Sequence, residues 1–285
     1  MSKFIKYLIQ SIVIYFFFII GKLLGLSTSK KFFSLVFEKI GPYFKSKIVI
    51  DKNLKIFNPD LTSDQKAIII NDMWRNYGMT FIEYIHLDFY KKKLNFVEIE
   101  GEEYLKKIIG SKKQVIFVSG HFSNFEIMSM EITKRKVKLA TIYRPLNNYF
   151  LNPFMEYLRK KYVCSNQIKK GLNGVRDAIN FIKNGFSIAL MIDQRVSEGE
   201  KINFFNKPAL TTTLPAQLAI KYNLSIVPVF IERLKSNKFK ITFHNEINSS
   251  LFKDTIDLSK KLNQILEKMI TKKPNEWIWT HNRWK

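Results

Sequence analysis

With 285 residues, 46% of them hydrophobic, the chain has the material for one sizeable core, and the simplest division is a single catalytic domain behind an N-terminal appendage. The single cysteine, Cys164, excludes an internal disulfide and a cysteine-rich zinc site. A formal charge of +23 requires an account: nucleic acid, an anionic membrane surface or an acidic protein partner would each satisfy it, and a lysine excess set by genomic base composition is the bland alternative for most individual lysines.

The first strongly apolar stretch is Tyr7 to Gly21, YLIQSIVIYFFFIIG, with Lys3 and Lys6 before it and Lys22 after. It falls short of the ~20 residues of a spanning helix, and with Leu23 to Leu26 added it either just crosses or lies partly embedded. No small-x-small cleavage site follows, and an amphipathic pattern begins at Thr28, so a retained anchor over residues 1–27 is expected and a catalytic domain over residues 28–285. The basic body then belongs on the cytoplasmic side. Lys31 to Phe44 places apolar residues among lysines, as an interfacial helix does, and ends near Gly41-Pro42.

Thr62-Ser63-Asp64-Gln65 has capping-box spacing and opens a helix running towards Phe89, with Trp74, Tyr77, Phe81 and Ile85 as its apolar stripe. Strand-like runs then alternate with helical patterns. The strands are Val115 to Val118, Leu139 to Tyr143, Ser187 to Ile192 and Ile226 to Ile231; the helices lie near Asn124 to Lys136, Tyr149 to Lys161, Val175 to Lys183 and Leu214 to Tyr222. Such alternation predicts an α/β sandwich with a central, largely parallel sheet flanked by helices. Phe239, Ile241 and Phe243 alternate with polar residues like an edge strand, and Leu258 to Met269 gives a last amphipathic helix.

Gln114 to Glu126, QVIFVSGHFSNFE, delivers His121 to the end of a buried strand and Glu126, five residues on, to the first turn of a helix. Strand ends are where open α/β sheets place their chemistry. His121 is the candidate general base and Glu126 the carboxylate expected to fix its tautomer and balance its charge. No HExxH motif and no carboxylate cluster accompanies them, which argues against metal catalysis. Arg144, with Asn147 nearby, follows another strand, and Asp193 and Arg195 follow a third. Only eight of the 47 basic residues are arginine, and Arg144, Arg195 and Arg283 fall in these distinctive blocks, where a guanidinium suits specific anion contacts. Phe204 and Phe205 either shape a substrate pocket or belong to the core; Trp277, Trp279 and Trp284 mark either a membrane-interface face or a C-terminus anchored in the core.

Four blocks in order, QVIFVSGHFSNFE, ATIYRPLNN, LMIDQRVSEGEKINFFNKPALT and PNEWIWTHNRWK, resemble the lipid A biosynthesis acyltransferases of the late lauroyl and myristoyl type, within the lysophospholipid acyltransferase superfamily. The family usually has Gly-Asn-Trp-Glu where this chain has Ser123-Asn124-Phe125-Glu126, and often Phe-Phe-Gly where it has Phe204-Phe205-Asn206; asparagine tolerates the left-handed backbone such a turn needs. The resemblance implies an enzyme at the cytoplasmic face of the inner membrane that moves a fatty acyl chain from an acyl carrier protein thioester to a hydroxyl of a Kdo-lipid A precursor, without a cofactor. It implies His121 and Glu126 as catalytic residues and Arg144, Asn147, Asp193, Arg195, Phe204 and Phe205 as substrate-binding ones. Acyl carrier protein is acidic, so the basic body doubles as a steering surface for it and for membrane lipids. The alternatives are acylation of a lysophospholipid or another glycolipid, from acyl-CoA or acyl carrier protein, and a non-enzymatic, membrane-anchored lipid-binding role. No nucleic-acid module is present, so nucleic acid is not an expected partner.

Overall fold

A computed structural model describes residues 2–93, 95–111, 113–235 and 238–285. Helix α1 (Lys3–Ile40) opens the chain, followed by α2 (Lys47–Phe57), α3 (Ser63–Glu83) and α4 (Leu87–Lys92). Strand β1 (Val97–Glu100) and α5 (Glu102–Ser111) lead into the α/β core: β2 (Val115–Ser119), α6 (Glu126–Lys134), β3 (Leu139–Tyr143), α7 (Asn152–Leu158), β4 (Asn166–Lys169), α8 (Leu172–Lys183) and β5 (Ser187–Met191). A hairpin, β6 (Glu200–Phe204) and β7 (Lys207–Thr211), stands apart from the main sheet. Then come α9 (Leu214–Tyr222), β8 (Ser225–Arg233), β9 (Phe239–Phe243), β10 (Ile247–Asn248) and α10 (Thr255–Lys272).

The main sheet runs β1-β9-β8-β2-β5-β3-β4, with β10 beside β8. From β8 to β4 it is parallel, while β9 and β10 pair antiparallel to β8. This is the expected largely parallel sheet flanked by helices. Parallel strands are buried on both faces, which is why β2 carries five buried residues in a row, VIFVS. One strand departs from expectation. β9 is not an edge, because β1 pairs with it and Phe239, Ile241 and Phe243 are all buried.

The N-terminal segment also departs from a simple anchor. Gly25 sits at φ 70°, ψ 167°, a backbone region open essentially to glycine alone, and α1 folds back there. Phe17 and Phe33 are sixteen residues apart, which along a straight helix is ~24 Å; their ring centroids lie 5.7 Å apart. α1 is therefore a hairpin of two helical limbs, and Phe18, Phe33 and Phe37 all pack on Phe81 of α3. Gly78 lets the second limb press against α3, since a Cβ there would meet the Phe33 carbonyl.

The first limb is docked along its length. Phe4 packs on Phe150, Ser11 donates to Asn148 Oδ1 at 2.9 Å, the Tyr15 hydroxyl donates to the Phe150 carbonyl, and Lys22 reaches Asp88 at 3.2 Å. Its other face, from Ile5 and Ile9 through Ile12, Phe16 and Ile19 to Leu23, is exposed and apolar. The segment is long and apolar enough to cross a membrane, and its first limb is tied to the rest of the chain from end to end with one apolar face left exposed. Lys30 on the second limb forms a buried ion pair with Glu83, 3.1 Å, which Arg233 of β8 shares and which Tyr90 and Asn124 complete. Burial works against the charge on Glu83, but Arg233 and Lys30 hold its carboxyl down to about 2.

Candidate active site

Register explains what the sheet brings together. Ser119 at the end of β2 is the Cα partner of Met191 at the end of β5. Because the strands are parallel, the residues two beyond each, His121 and Asp193, emerge side by side at the carboxyl rim. His121 Nδ1 lies 2.7 Å from Asp193 Oδ1, and the His121 backbone N–H donates to Oδ2 at 3.0 Å. The indole N–H of Trp277 donates to the same Oδ2 at 2.9 Å. Asp193 is 1% exposed; burial alone would raise its carboxyl, yet the His121 charge and these hydrogen bonds hold it at about 2. A carboxylate accepts only, so Nδ1 carries the imidazole proton and Nε2 is the basic nitrogen.

That assigns His121 a different carboxylate from the expected one. Glu126 does start α6 as the spacing predicts, but its Oε1 accepts from Arg159 Nε at 2.6 Å and from the Tyr84 hydroxyl at 2.8 Å. Among the described residues no hydrogen bond joins Glu126 to His121. Both line one cavity of ≈ 490 Å³, together with Arg144, Asn147, Arg195 and His281. Asp193 lies behind His121 rather than in the cavity wall. Arg159 sits in a one-turn π-helix, Arg159–Val163, of the kind that often re-aims a side chain at a site.

The cavity is rich in guanidinium. Neither Arg144 nor Arg195 has an acidic partner among the described residues, while Arg159 Nη1 and Arg195 Nε are buried without any hydrogen-bond acceptor. Buried, unsatisfied cationic donors are costly and suit an anionic ligand. The backbone N–H groups of residues 121 to 123 are already committed, to Asp193, the Gly120 carbonyl and the Glu276 carbonyl, so they do not form an oxyanion hole. Among the described residues no group of three His, Cys, Asp or Glu side chains is arranged to hold a metal ion.

His281 was not singled out by sequence reasoning. Its Nε2 accepts the Arg195 backbone N–H at 2.9 Å, and burial lowers its pKa, so the neutral ring fixes the loop that carries Asp193 and Arg195. Phe204 and Phe205 do not line the cavity. Phe204 is fully buried and stacks on Trp284, with centroids 5.5 Å apart, and Phe205, half-buried in the β6–β7 turn, packs on Phe57 at the edge of the core. Trp277, Trp279 and Trp284 are likewise buried, which resolves the C-terminal block as an internal brace. Two local departures from the family pattern also fall into place. Asn206 takes the left-handed φ of 57° expected of it, and Ser123 adopts φ 47°, where a glycine would be unstrained.

Over residues 1–285 the chain matches the bacterial lipid A biosynthesis acyltransferases. It is 24% identical to a lipid A biosynthesis acyltransferase of Haemophilus influenzae, covering 82% of this chain and 76% of that protein. It is 22% identical to the lipid A biosynthesis palmitoleoyltransferase of Escherichia coli K12 (86% and 80% covered), and 21% identical to that organism's lauroyltransferase (83% and 78%). A crystal structure of the 1-acyl-sn-glycerophosphate acyltransferase of Thermotoga maritima aligns over 86% of this chain and 97% of its own, at 17% identity and a TM-score of 0.44. The match over the whole length places this chain in the bacterial lipid A biosynthesis acyltransferase family.

Proposed function

We propose that the chain transfers a fatty acyl group from an acyl carrier protein thioester to a hydroxyl of a Kdo-bearing lipid A precursor, at the cytoplasmic face of the inner membrane. The observation that supports this most is His121, its Nδ1 tied to the buried Asp193, lining a cavity in which the Arg144 and Arg195 guanidinium groups have no acidic partner among the described residues. His121 Nε2 takes the proton of the acceptor hydroxyl as its oxygen attacks the thioester carbonyl. Arg144 and Arg195 face the negative charge that develops on the carbonyl oxygen or the phosphate of the acceptor, in place of backbone donors that are otherwise engaged. The tetrahedral intermediate collapses, the C–S bond breaks, and the imidazolium returns its proton to the leaving thiolate, giving an ester and a free thiol. Asp193 orients the ring and stabilises its charged form; Glu126 acts at one remove, by holding Arg159 in the cavity wall.

The test is acyl transfer by detergent-purified protein from acyl carrier protein and coenzyme A thioesters to a Kdo-bearing tetra-acyl precursor or a lysophospholipid. A mass gain of one acyl chain on the precursor, lost in His121→Ala, is the expected result. Transfer only to the lysophospholipid would refute the acceptor, and transfer only from coenzyme A would refute the donor.

A further inference from the structure

Two imidazoles line the reaction cavity, His121 and His281, and they are held in opposite ways. His121 is bonded through Nδ1 to a buried carboxylate, which leaves Nε2 to take a proton. Among the described residues His281 has no carboxylate bonded to its ring. Its Nε2 meets the Arg195 backbone N–H at 2.9 Å, a donor that a ring nitrogen can receive only with its lone pair. Burial, aided by the charges of Arg283, His121 and Arg195, works against protonation and outweighs Asp193, so the ring is neutral. A neutral imidazole that accepts at Nε2 carries its proton on Nδ1. That N–H has no partner among the described residues, and Nδ1 is not one of the buried polar atoms left without a partner, so it is open to the cavity space around the ring. The mounting is stiff. Asn53 of α2, fully buried, donates to the carbonyls of both Trp279 and His281 at 2.8 Å, and the Thr280 hydroxyl bonds to that of Tyr77 at 3.0 Å.

We infer that the His281 Nδ1–H is the hydrogen-bond donor that holds the thioester carbonyl oxygen and stabilises the oxyanion formed when the acceptor hydroxyl attacks. This rests on the acyl-transfer reading of the His121 cavity and supplies a donor that the backbone of residues 121 to 123, engaged elsewhere, does not. As the new C–O bond forms, His121 Nε2 takes the hydroxyl proton, the carbonyl π pair moves onto oxygen, and the His281 hydrogen bond strengthens while its proton stays on Nδ1. The C–S bond then breaks, its electron pair leaves with sulfur, and His121 returns the proton there. A neutral donor suits this task. A guanidinium binds an anionic group of the acceptor equally before and during reaction, whereas a neutral N–H gains most where charge appears only in the transition state. One loop, from Asp193 to Arg195, sets the proton of both rings on Nδ1, through an acceptor for His121 and a donor for His281. Base and oxyanion donor are thereby held in register.

Full-length protein in detergent, assayed with acyl carrier protein and coenzyme A thioesters and a Kdo-bearing tetra-acyl precursor, tests this. Genetic code expansion exchanges the His281 ring for its Nδ-methyl form, which keeps the Nε2 acceptor for Arg195 and removes only the N–H. Turnover is expected to fall about 10²–10³-fold, with KM for the thioester and the melting temperature little changed. His281→Gln, whose amide can accept from Arg195 and donate through its NH₂, is expected to keep more turnover than His281→Leu, which can do neither. Where the ring only steadies the loop, the methylated protein turns over as wild type does, and that result overturns the assignment. Two readouts do not depend on turnover. Heteronuclear NMR of histidine-labelled protein at about pH 7 is expected to show His281 neutral with its proton on Nδ1; a proton on Nε2, or on both nitrogens, overturns the assignment. In His121→Ala protein, isotope-edited infrared spectra are expected to show the thioester carbonyl stretch lowered on binding and the lowering lost on methylation at His281; a stretch indifferent to methylation overturns it. Wild type that transfers no acyl group from either donor refutes the acyl-transfer reading, and this inference with it, before any variant is made.

Discussion

Asp193→Asn separates the two carboxylates that have a claim on His121. In the native site Asp193 Oδ2 accepts from the His121 backbone N–H at 3.0 Å and from the Trp277 indole N–H at 2.9 Å, and both groups can only donate. An asparagine has one oxygen, so the amide must place it there and turn its NH₂ towards His121 Nδ1. The imidazole then has to accept at Nδ1 and carry its proton on Nε2, the nitrogen that needs its lone pair. A histidine base locked in the wrong tautomer loses about 10⁴-fold in turnover, ~5.5 kcal/mol of transition-state stabilisation. Shape and two of the three hydrogen bonds are kept, so the melting temperature should move little.

Glu126→Gln makes the contrast. A glutamine oxygen still accepts from Tyr84 and Arg159, and what is lost is the charge of the Arg159 pair, about 1–3 kcal/mol shared between stability and binding. Steady-state acyl transfer should therefore show Asp193→Asn nearly inactive with KM unchanged, and Glu126→Gln weakened chiefly in KM for the anionic acceptor. Turnover within tenfold of wild type in Asp193→Asn, beside an inactive Glu126→Gln, would refute the His121–Asp193 assignment.

Glu83→Ala strands Lys30 and Arg233 in the core without a counter-charge, at a cost of about 3–5 kcal/mol; thermal melts should fall sharply and protease should cut the undocked α1 hairpin, whereas replacing all three residues with apolar ones should restore much of the loss. Ser123→Gly removes a left-handed serine whose buried Oγ has no partner, and urea denaturation should show a gain of about 1 kcal/mol; a loss would mean the hydroxyl is in use. Burial raises the Glu276 carboxyl to about 7, above its unfolded value, so the folded state holds that proton more tightly. The stability this contributes, about 3 kcal/mol, is complete below pH ~4.5 and lost as pH rises through about 7. Glu276→Gln can still accept the Arg233 N–H, so its melting temperature should decline less from pH 5 to 8 than that of wild type.

The parts of this fold legible in the sequence are those whose signal is local. β2, β3, β5 and β8 are continuous apolar runs because parallel strands are buried on both faces, and α9 and α10 carry clear helical periodicity. β1, β4 and the strands of the β6–β7 hairpin are only four or five residues long and carry at most two apolar side chains each among polar ones, too short a run to set a period. The boundary between the first and second helical patterns is legible between residues 27 and 28, close to the break at Gly25, but the fold-back is not, because Phe33 and Lys30 are held by contacts with α3. The same limit applies to the site. His-x4-Glu is a spacing within one segment, whereas the His121–Asp193 pair arises from the register of β2 on β5, across 72 residues. Arg159 and His281 did leave a signal. One is a scarce arginine in a lysine-rich helix, and the other is among four histidines and lies inside the tryptophan block.

The two buried ionic clusters explain why so much of the chain converges on one loop. Asn124 donates to Glu83, which Lys30 and Arg233 hold, and two residues later Glu126 is held by Arg159 and Tyr84. On the other side His121 is fixed through Asp193 by Trp277, and Ser123 donates to the Glu276 carbonyl. The segment from His121 to Glu126 is thereby clamped by the N-terminal hairpin, α3, the π-helix and the C-terminal brace, elements that span the whole sequence. A general base must sit within a few tenths of an ångström of its working position, and a loop alone does not supply that stiffness. In this chain the stiffness comes from charges that are costly to bury and therefore tolerate only the arrangement in which each is paired.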